Sequence, residues 1–364
     1  MSAKHVEIAG AGFAGLTAAI AFRQRGWTVR LHEKARELRA FGAGIYIWEN
    51  GLRVLKAVGA YDDVMAGSHR PSRYQTRRDD ALISSESFGD DCRLVLMTRE
   101  HLHNCLVKSA EAHGVDLVTD SNVIGARPDG TLIVEGGREL KADLVVGADG
   151  VRSSVRDSLN LPQVRETHSD GITRLLVPRM RKQLGQGDWD DIIDFWVTRP
   201  ATLRILYSPC DDRNLYLALL APDDNPQAAR IPVDKAVWIK AFPKLEPVIS
   251  QIGTQGRRDT YETSRLSAWS KGRVACVGDA AHAMCPPLAQ GGGCALMNAL
   301  SLAHWVETRR SIEDGLAHWE KVERPLTDRT QSRSEFYAKS RQMSKGNQWR
   351  GDNMETASHI PTGV

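Results

Sequence analysis

The chain has 364 residues, 26% of them charged and 41% hydrophobic, with a formal net charge of only +3. That length can bury a core large enough for two domains. The charge is small and evenly spread, which argues against nucleic acid, and no run is long and apolar enough for a membrane span, so a cytoplasmic protein handling a small molecule is expected.

Val6, Ile8 and Ala9 read as a short buried strand, followed by Gly10-Ala11-Gly12-Phe13-Ala14-Gly15 and an Ala/Leu-rich helix over 13–24. Gly10 opens a tight turn. Gly12 lets a pyrophosphate approach the backbone, and Gly15 lets the helix pack close to its strand. A second strand, over 28–33, ends in Glu33, 18 residues beyond Gly15 and near the spacing at which an acid meets a ribose hydroxyl. On these residues alone the ligand is a dinucleotide, with FAD and NAD equally open. A glycine-rich stretch over 37–46 follows, and its Arg39 is a candidate phosphate partner. A short helix is expected over 50–57.

Residues 71–97 turn polar and leave the strand–helix rhythm. Thr98 is the expected N-cap of a helix whose first turn carries Arg99, where a phosphate can also meet the helix N-terminus. Strands are expected over 115–118, 131–135 and 143–148. The last runs into Ala148-Asp149-Gly150, where composition alone favours Asp149 as a helix cap. Residues 171–264 leave the rhythm again. Strands over 174–178, 192–197, 203–208 and 215–221 suit an antiparallel sheet, and their alternation puts Arg204 and Tyr216 on sheet faces. A helix over 232–242 follows.

Gly272 to His282 is another buried strand running into an acid, Asp279. Pro286 and Pro287 stiffen the next loop, and Gly291, Gly292 and Gly293 introduce a helix over 294–307 whose first N–H groups are free for a ligand. A long helix from Ile312 to about Lys345 carries Pro325 as a kink, and the tail beyond Gly346 is polar and without a motif. Cys92, Cys105, Cys210, Cys276, Cys285 and Cys294 include no CxxC pair and no zinc spacing, so buried free thiols and no metal are expected. His32 and His282 read as packed, hydrogen-bonded histidines.

Three stretches in order, Gly10-x-Gly12-x-x-Gly15 with Glu33, Ala148-Asp149-Gly150, and Gly278-Asp279, resemble the single-component FAD-dependent aromatic hydroxylases, the family of para-hydroxybenzoate and salicylate hydroxylases. The resemblance spans residues 4 to about 345 and is poorer over 77–93 and in the tail. It implies an α/β fold in which a Rossmann-like FAD-binding domain (1–70, 98–170 and 265–345) carries a second domain on an antiparallel sheet (71–97 and 171–264), with a C-terminal tail over 346–364. It implies that Gly10, Gly12, Phe13, Ala14, Gly15, Glu33, Lys34, Arg39 and Arg99 serve the ADP side of FAD. Asp149 then supports the site, which reverses its reading as a plain cap, and Asp279 meets the ribityl chain. Pro286, Gly291, Gly292 and Gly293 face the flavin. NADH or NADPH docks transiently, without a Rossmann domain of its own.

More narrowly, the strings over 38–46, 204–210 and 278–286 resemble family members that oxidise 3-hydroxypyridine carboxylates. By that resemblance the substrate pocket uses Arg204, Tyr216, Tyr74 and Arg174, with Pro286 walling the reactive side and Tyr46 and Tyr261 as further candidates. The expected reaction is hydroxylation of a hydroxylated aromatic or pyridine carboxylate by NAD(P)H and O2 through a flavin C4a-hydroperoxide, with or without ring opening. No general base is evident. A benzenoid phenolic acid as substrate, and a flavin reductase or dehydrogenase on the same fold, are the alternatives. The family also admits a homo-oligomer.

Overall fold

Strand His5–Ala9 is buried along nearly its whole length because it lies inside a six-stranded sheet. In the computed structural model, which describes residues 3–38, 43–90, 92–254, 256–340 and 347–364, the order of that sheet is Ser270–Lys271, Val274–Cys276, Leu144–Gly147, His5–Ala9, Thr28–His32 and Asp116–Val118. Every neighbouring pair is parallel except the edge pair with Ser270–Lys271. Parallel strands covered on both faces need nearly continuous apolar sequence. Leu144-Val145-Val146 and Val274-Ala275-Cys276 supply it, all buried. Glu7 is the exception inside the first strand. Burial pushes its carboxyl up, but hydrogen bonds from His32 and His5 prevail and hold it at about 2.

Helix Phe13–Gln24 is buried from Ala14 to Phe22 and belongs to the same apolar cluster as helix Gly291–Thr308. A second sheet has seven strands, ordered Arg257–Leu266, Gln163–Pro178, Asn214–Pro222, Leu203–Pro209, Ile192–Val197, Arg73–Arg78 and Ala81–Ser87. It is antiparallel apart from the pairing of Ile192–Val197 with Arg73–Arg78. Strand alternation divides its side chains. Leu175, Leu203, Ile205, Leu215 and Leu217 go to one face and pack on Trp238, Phe242 and Ile249 of the helical segment behind it. The opposite face is free to carry polar residues.

Between the two sheets lies a two-stranded ribbon, Gly44–Trp48 with Leu94–Thr98. A Cβ on Gly44 would stand 2.6 Å from the Cβ of Tyr216, so glycine lets the ribbon close onto the larger sheet. Thr98 caps helix Arg99–Ala112 as expected, its hydroxyl accepting the His101 N–H at 3.1 Å.

Several boundaries differ from the sequence reading, for physical reasons. The strand expected over 174–178 begins at Gln163, because its first half pairs with Arg257–Leu266 across a bulge. The three glycines lie within helix Gly291–Thr308 rather than ahead of it, where the first turn needs no internal N–H partners. Helix Ile312–Ser340 runs through Pro325. The tail read as featureless forms helix Asn347–Ala357, with Asn353, Thr356 and Ala357 buried. All six cysteines are free and buried.

His282 closes the short helix Asp279–His282 and is 2% exposed. Its Nε2 meets the Asn298 amide nitrogen at 3.0 Å, an arrangement that suits a neutral ring. Burial lowers its pKa from 6.5 to about 4. Between those values the unfolded chain holds the extra proton, so stability should fall as pH drops from 6.5 toward 4 and stay flat above 6.5. The full effect is about 3 kcal/mol. Urea denaturation across that window should show the slope, and His282→Gln should flatten it.

Candidate active site

Parallel strands that point the same way end on one edge of their sheet. Asp279, Asp149, the Gly10–Gly15 loop and Glu33 follow four adjacent strands, so they stand in a row along that edge. This is where open α/β sheets bind ligands. Gly10 has φ +96°, and a Cβ there would come 2.5 Å from the Ala148 carbonyl oxygen. A Cβ on Gly15 would come 1.9 Å from the Gly10 carbonyl oxygen, so the first helix can start only from glycine. Among the described residues, a Cβ at Gly12 would meet nothing within 4 Å. Glu33 accepts the Ala11 N–H at 3.1 Å and the Ala35 N–H at 2.9 Å, which holds the acid beside the loop. Lys34 is exposed next to it.

Asp149 shows the capping contact that composition favoured. One carboxylate oxygen accepts the Val155 N–H at 3.2 Å, capping helix Ser154–Ser158. The other, Oδ1, is buried without a hydrogen-bond partner among the described residues, and burial raises the carboxyl's pKa. A buried acceptor of this kind is a natural contact for a ligand donor. The Asp279 side chain is exposed at this edge, with protein on its other sides. That surrounding protein raises its carboxyl, while Arg99 and Arg174 pull the other way. Arg99 lies with its guanidinium 5.0 Å from the Phe13 ring centre, joining the start of helix Arg99–Ala112 to the opening loop. Arg39 falls outside the described residues.

On the free face of the larger sheet, cross-strand partners share a side. Tyr74 opposes Ile192, Arg204 opposes Trp196, Ser208 opposes Tyr216, and Arg174 opposes Ala218. Asp194 stands on the same face and is 2% exposed. Its two oxygens accept from Arg204 Nε at 2.6 Å and from the Tyr74 hydroxyl at 3.1 Å. Burial works against the Arg204 charge, and Asp194 more than offsets it, so the guanidinium stays above its ordinary value. Arg204 also lies over the Trp196 ring at 4.9 Å. Arg174 repeats the pattern, donating to Asp259 at 2.8 Å. Tyr46 bonds to the Ser208 hydroxyl. Burial raises the hydroxyls of Tyr46, Tyr74, Tyr216 and Tyr261, so all four remain protonated hydrogen-bonding groups at neutral pH.

The loop after Asp279 joins edge to face. Cys285 shares an apolar cluster with Tyr216 and Tyr261, and Leu288 shares one with Tyr74. The Ala289 N–H donates to the Pro286 carbonyl at 2.8 Å, making a tight turn ahead of helix Gly291–Thr308. Burial raises the Cys285 thiol, which leaves it unreactive. A separate groove of about 620 Å³ lies at the hairpin tips around Asp79 and Arg199, against 240–245. It holds none of the edge residues.

The sequence profile of the FAD binding domain family matches residues 3–307. The chain belongs to that family and is an FAD-dependent monooxygenase. Among solved structures, a tetrameric form of 2-methyl-3-hydroxypyridine-5-carboxylic acid oxygenase is 51% identical, with a TM-score of 0.97, covering 99% of this chain and 98% of that one. A 2-heptyl-3-hydroxy-4(1H)-quinolone synthase of Mycobacteroides abscessus is 39% identical over 341 residues, 92% of this chain and 90% of its own. A 3-amino-4-hydroxybenzoate 2-monooxygenase of Streptomyces cremeus is 29% identical over 358 residues, 94% of this chain and 88% of its own. The α/β architecture with an FAD-binding sheet agrees with the expected para-hydroxybenzoate hydroxylase type.

The monooxygenase thus brings together most of the residues singled out from sequence. Gly10, Gly12, Phe13, Ala14, Gly15, Glu33, Asp149 and Asp279 line the edge. Tyr74, Arg174, Arg204 and Tyr216 share the sheet face with Tyr46 and Tyr261 close by, Cys285 and Leu288 on either side of Pro286 pack with these tyrosines, and Gly292 lies against Ile45 and Ile47 of the ribbon. Sequence reasoning missed Asp194, Asp259 and Ser208. The signal was there for Asp194: an acid in the otherwise apolar Ile192-Ile193-Asp194-Phe195-Trp196 needs a buried cation.

Removing Asp194 leaves Arg204 half-buried and unpaired. Asp194→Ala should destabilise the enzyme by roughly 2–3 kcal/mol, below the fully buried limit because the Arg204 side chain keeps 23% exposure. The double variant D194A/R204M should be less destabilised than D194A alone in the same denaturation assay.

Proposed function

We propose that this monooxygenase hydroxylates a small heteroaromatic acid of the 3-hydroxypyridine carboxylate class, with NADH or NADPH as reductant and O2 as oxidant. The observation that carries the reading is the polar face itself, where two arginines, each paired by an aspartate, stand among four protonated tyrosines. The relative with a hydroxypyridine carboxylate in its name, 51% identical along nearly the whole chain, supports it. A second reading, an alkyl quinolone as substrate, comes from the relative in Mycobacteroides abscessus.

The residues at the sheet edge fit FAD. Among the described residues, the uncrowded backbone at Gly12 and the unpartnered Asp149 Oδ1 are sites a dinucleotide can use, and Glu33 lies where a ribose hydroxyl is bound. Bound FAD, reduced by the nicotinamide and reoxidised by O2, supplies an electrophilic oxygen. The chain supplies position and charge. Asp279 would hold the ribityl chain, and Arg99, close enough to share its field, would offer a positive charge to the phosphates. The N–H groups at the start of helix Gly291–Thr308 would stabilise the negative charge that gathers on the flavin on reduction. Pro286 and Pro287 shield the reacting side from water.

Arg204 and Arg174 use their remaining N–H groups on the carboxylate and ring oxygen of the substrate, while Asp194 and Asp259 keep the face close to neutral. Tyr74 and Tyr216 orient the ring. None of the tyrosines is set up as a base, so the substrate must arrive with an electron-rich, readily ionised hydroxyl. A homo-oligomer is part of the same proposal, supported by the tetrameric oxygenase.

The test combines a substrate panel (3-hydroxypyridine carboxylates, salicylate, an alkyl quinolone) with NAD(P)H oxidation and product mass under labelled dioxygen. The pyridine acids should accelerate oxidation and gain labelled oxygen. Labelled product from the quinolone alone would overturn the substrate class. Arg204→Met should raise the substrate concentration needed for half-stimulation about ten- to a hundredfold, the worth of one charge-assisted hydrogen bond, with FAD still bound.

A further inference from the structure

The loop 283–290 hangs from side chains of the last two helices. Gln331 donates from Nε2 to the carbonyls of Ala283 and Ser264, each at 2.8 Å. Ser334 donates to the Cys285 carbonyl at 2.6 Å and accepts the Leu288 N–H at 3.3 Å. Asn353, from the C-terminal helix, donates to the Leu288 carbonyl at 2.8 Å. Its Oδ1 accepts from Gln290 Nε2 at 2.8 Å, and Gln290 Oε1 accepts from Asn50 Nδ2 at 3.0 Å. Asn50 Oδ1 takes the Gly51 N–H at 2.7 Å. Asn50, Gln290 and Asn353 are each 0% exposed.

An unbroken chain of buried amides therefore runs from helix Glu49–Ala57 to the C-terminal helix through Gln290, the residue just before helix Gly291–Thr308. Apolar packing alone can dock a C-terminal helix, whereas hydrogen-bonded buried amides also fix the direction and register of what they bond. Asn353 bonds the loop at Leu288 and Gln290, and Asn50 ties Gln290 to helix Glu49–Ala57. A Cβ on Gly293 would meet Gln290 Oε1 at 2.9 Å and Asn50 Oδ1 at 3.1 Å, so the amides lie against the helix's first turn. The loop also holds strain: Ala289 has φ +54°, a conformation that costs a side-chain-bearing residue about 1 kcal/mol or more and persists only where the surroundings enforce it.

We propose that Asn353 is a positioning residue for the flavin: through Leu288 and Gln290 it fixes the turn at Ala289 and the aim of the N–H groups that begin helix Gly291–Thr308. The C-terminal segment is then part of the redox site without touching it. This rests on the reading that the loop faces the flavin.

The experiment measures the flavin midpoint potential and melting temperature of the FAD-loaded enzyme in three variants. Asn353→Leu breaks the amide chain. Thr356→Val removes the Thr330–Thr356 hydroxyl contact of the same helix, which does not reach the loop. Gly291→Asp puts a negative charge into the helix's first turn. N353L should shift the potential to more negative values, reduced FAD losing roughly three- to tenfold affinity relative to oxidised FAD. T356V should lower the melting temperature without that shift, and G291D should shift the potential in the same direction. A shift in G291D with none in N353L, or equal shifts in N353L and T356V, overturns the positioning role. No shift in G291D overturns the facing of the loop itself. If N353L does not accumulate, Asn353→Ala, which removes both bonds without adding charge or bulk, carries the same comparison.

Discussion

Everything in this enzyme depends on parallel strands ending together. The strands before Asp279, Asp149, Gly10 and Glu33 are neighbours, and pairing in one direction puts residues up to 269 positions apart, Gly10 and Asp279, on a single edge. Close backbone contacts then lock the edge. The Gly10 turn rests against the Ala148 carbonyl, and Gly15 rests against the Gly10 carbonyl. A methyl group at either place would push the first helix away from the edge and spoil the cradle before any chemistry could begin.

The second constraint is charge. Arginines suit a site for an acidic substrate, yet a buried unpaired guanidinium is costly. The antiparallel sheet resolves this locally. Asp194 serves Arg204 and Tyr74 at once, and Asp259 serves Arg174, all on the face away from the helical backing. The other face of the same strands carries the leucines that hold the sheet to Trp238 and Phe242. One alternating sequence thus builds a core and a polar floor together.

Much of this was legible in the sequence. The glycine spacing, the acid at the end of the second strand and the two later Asp-bearing strand ends are short-range patterns, and short-range patterns survive translation into structure. Arg204 and Tyr216 could be placed on sheet faces by alternation, but their aspartate partners could not. Those partners depend on which strands become neighbours, and Arg174 meets Asp259 across a pairing set by a bulge between Thr167 and Gly171. Asp149 was read first as a cap and then, by the resemblance, as supporting the site; one of its oxygens makes the cap contact and the other is buried without a partner among the described residues. The tail beyond Gly346 looked empty because its buried residues include Asn353 and Thr356, polar groups whose burial makes sense only with partners supplied by distant helices.

The central claim is that the edge and the polar face meet around one flavin and one aromatic acid. A crystal structure of the enzyme with FAD and a non-reactive pyridine carboxylate tests it most directly. The account predicts the isoalloxazine ring between the 286–293 loop and the sheet, with the ligand within hydrogen-bond reach of Arg204 and Arg174. A ligand seated instead in the groove around Arg199 and Lys240, or a flavin ring remote from Pro286, would contradict it.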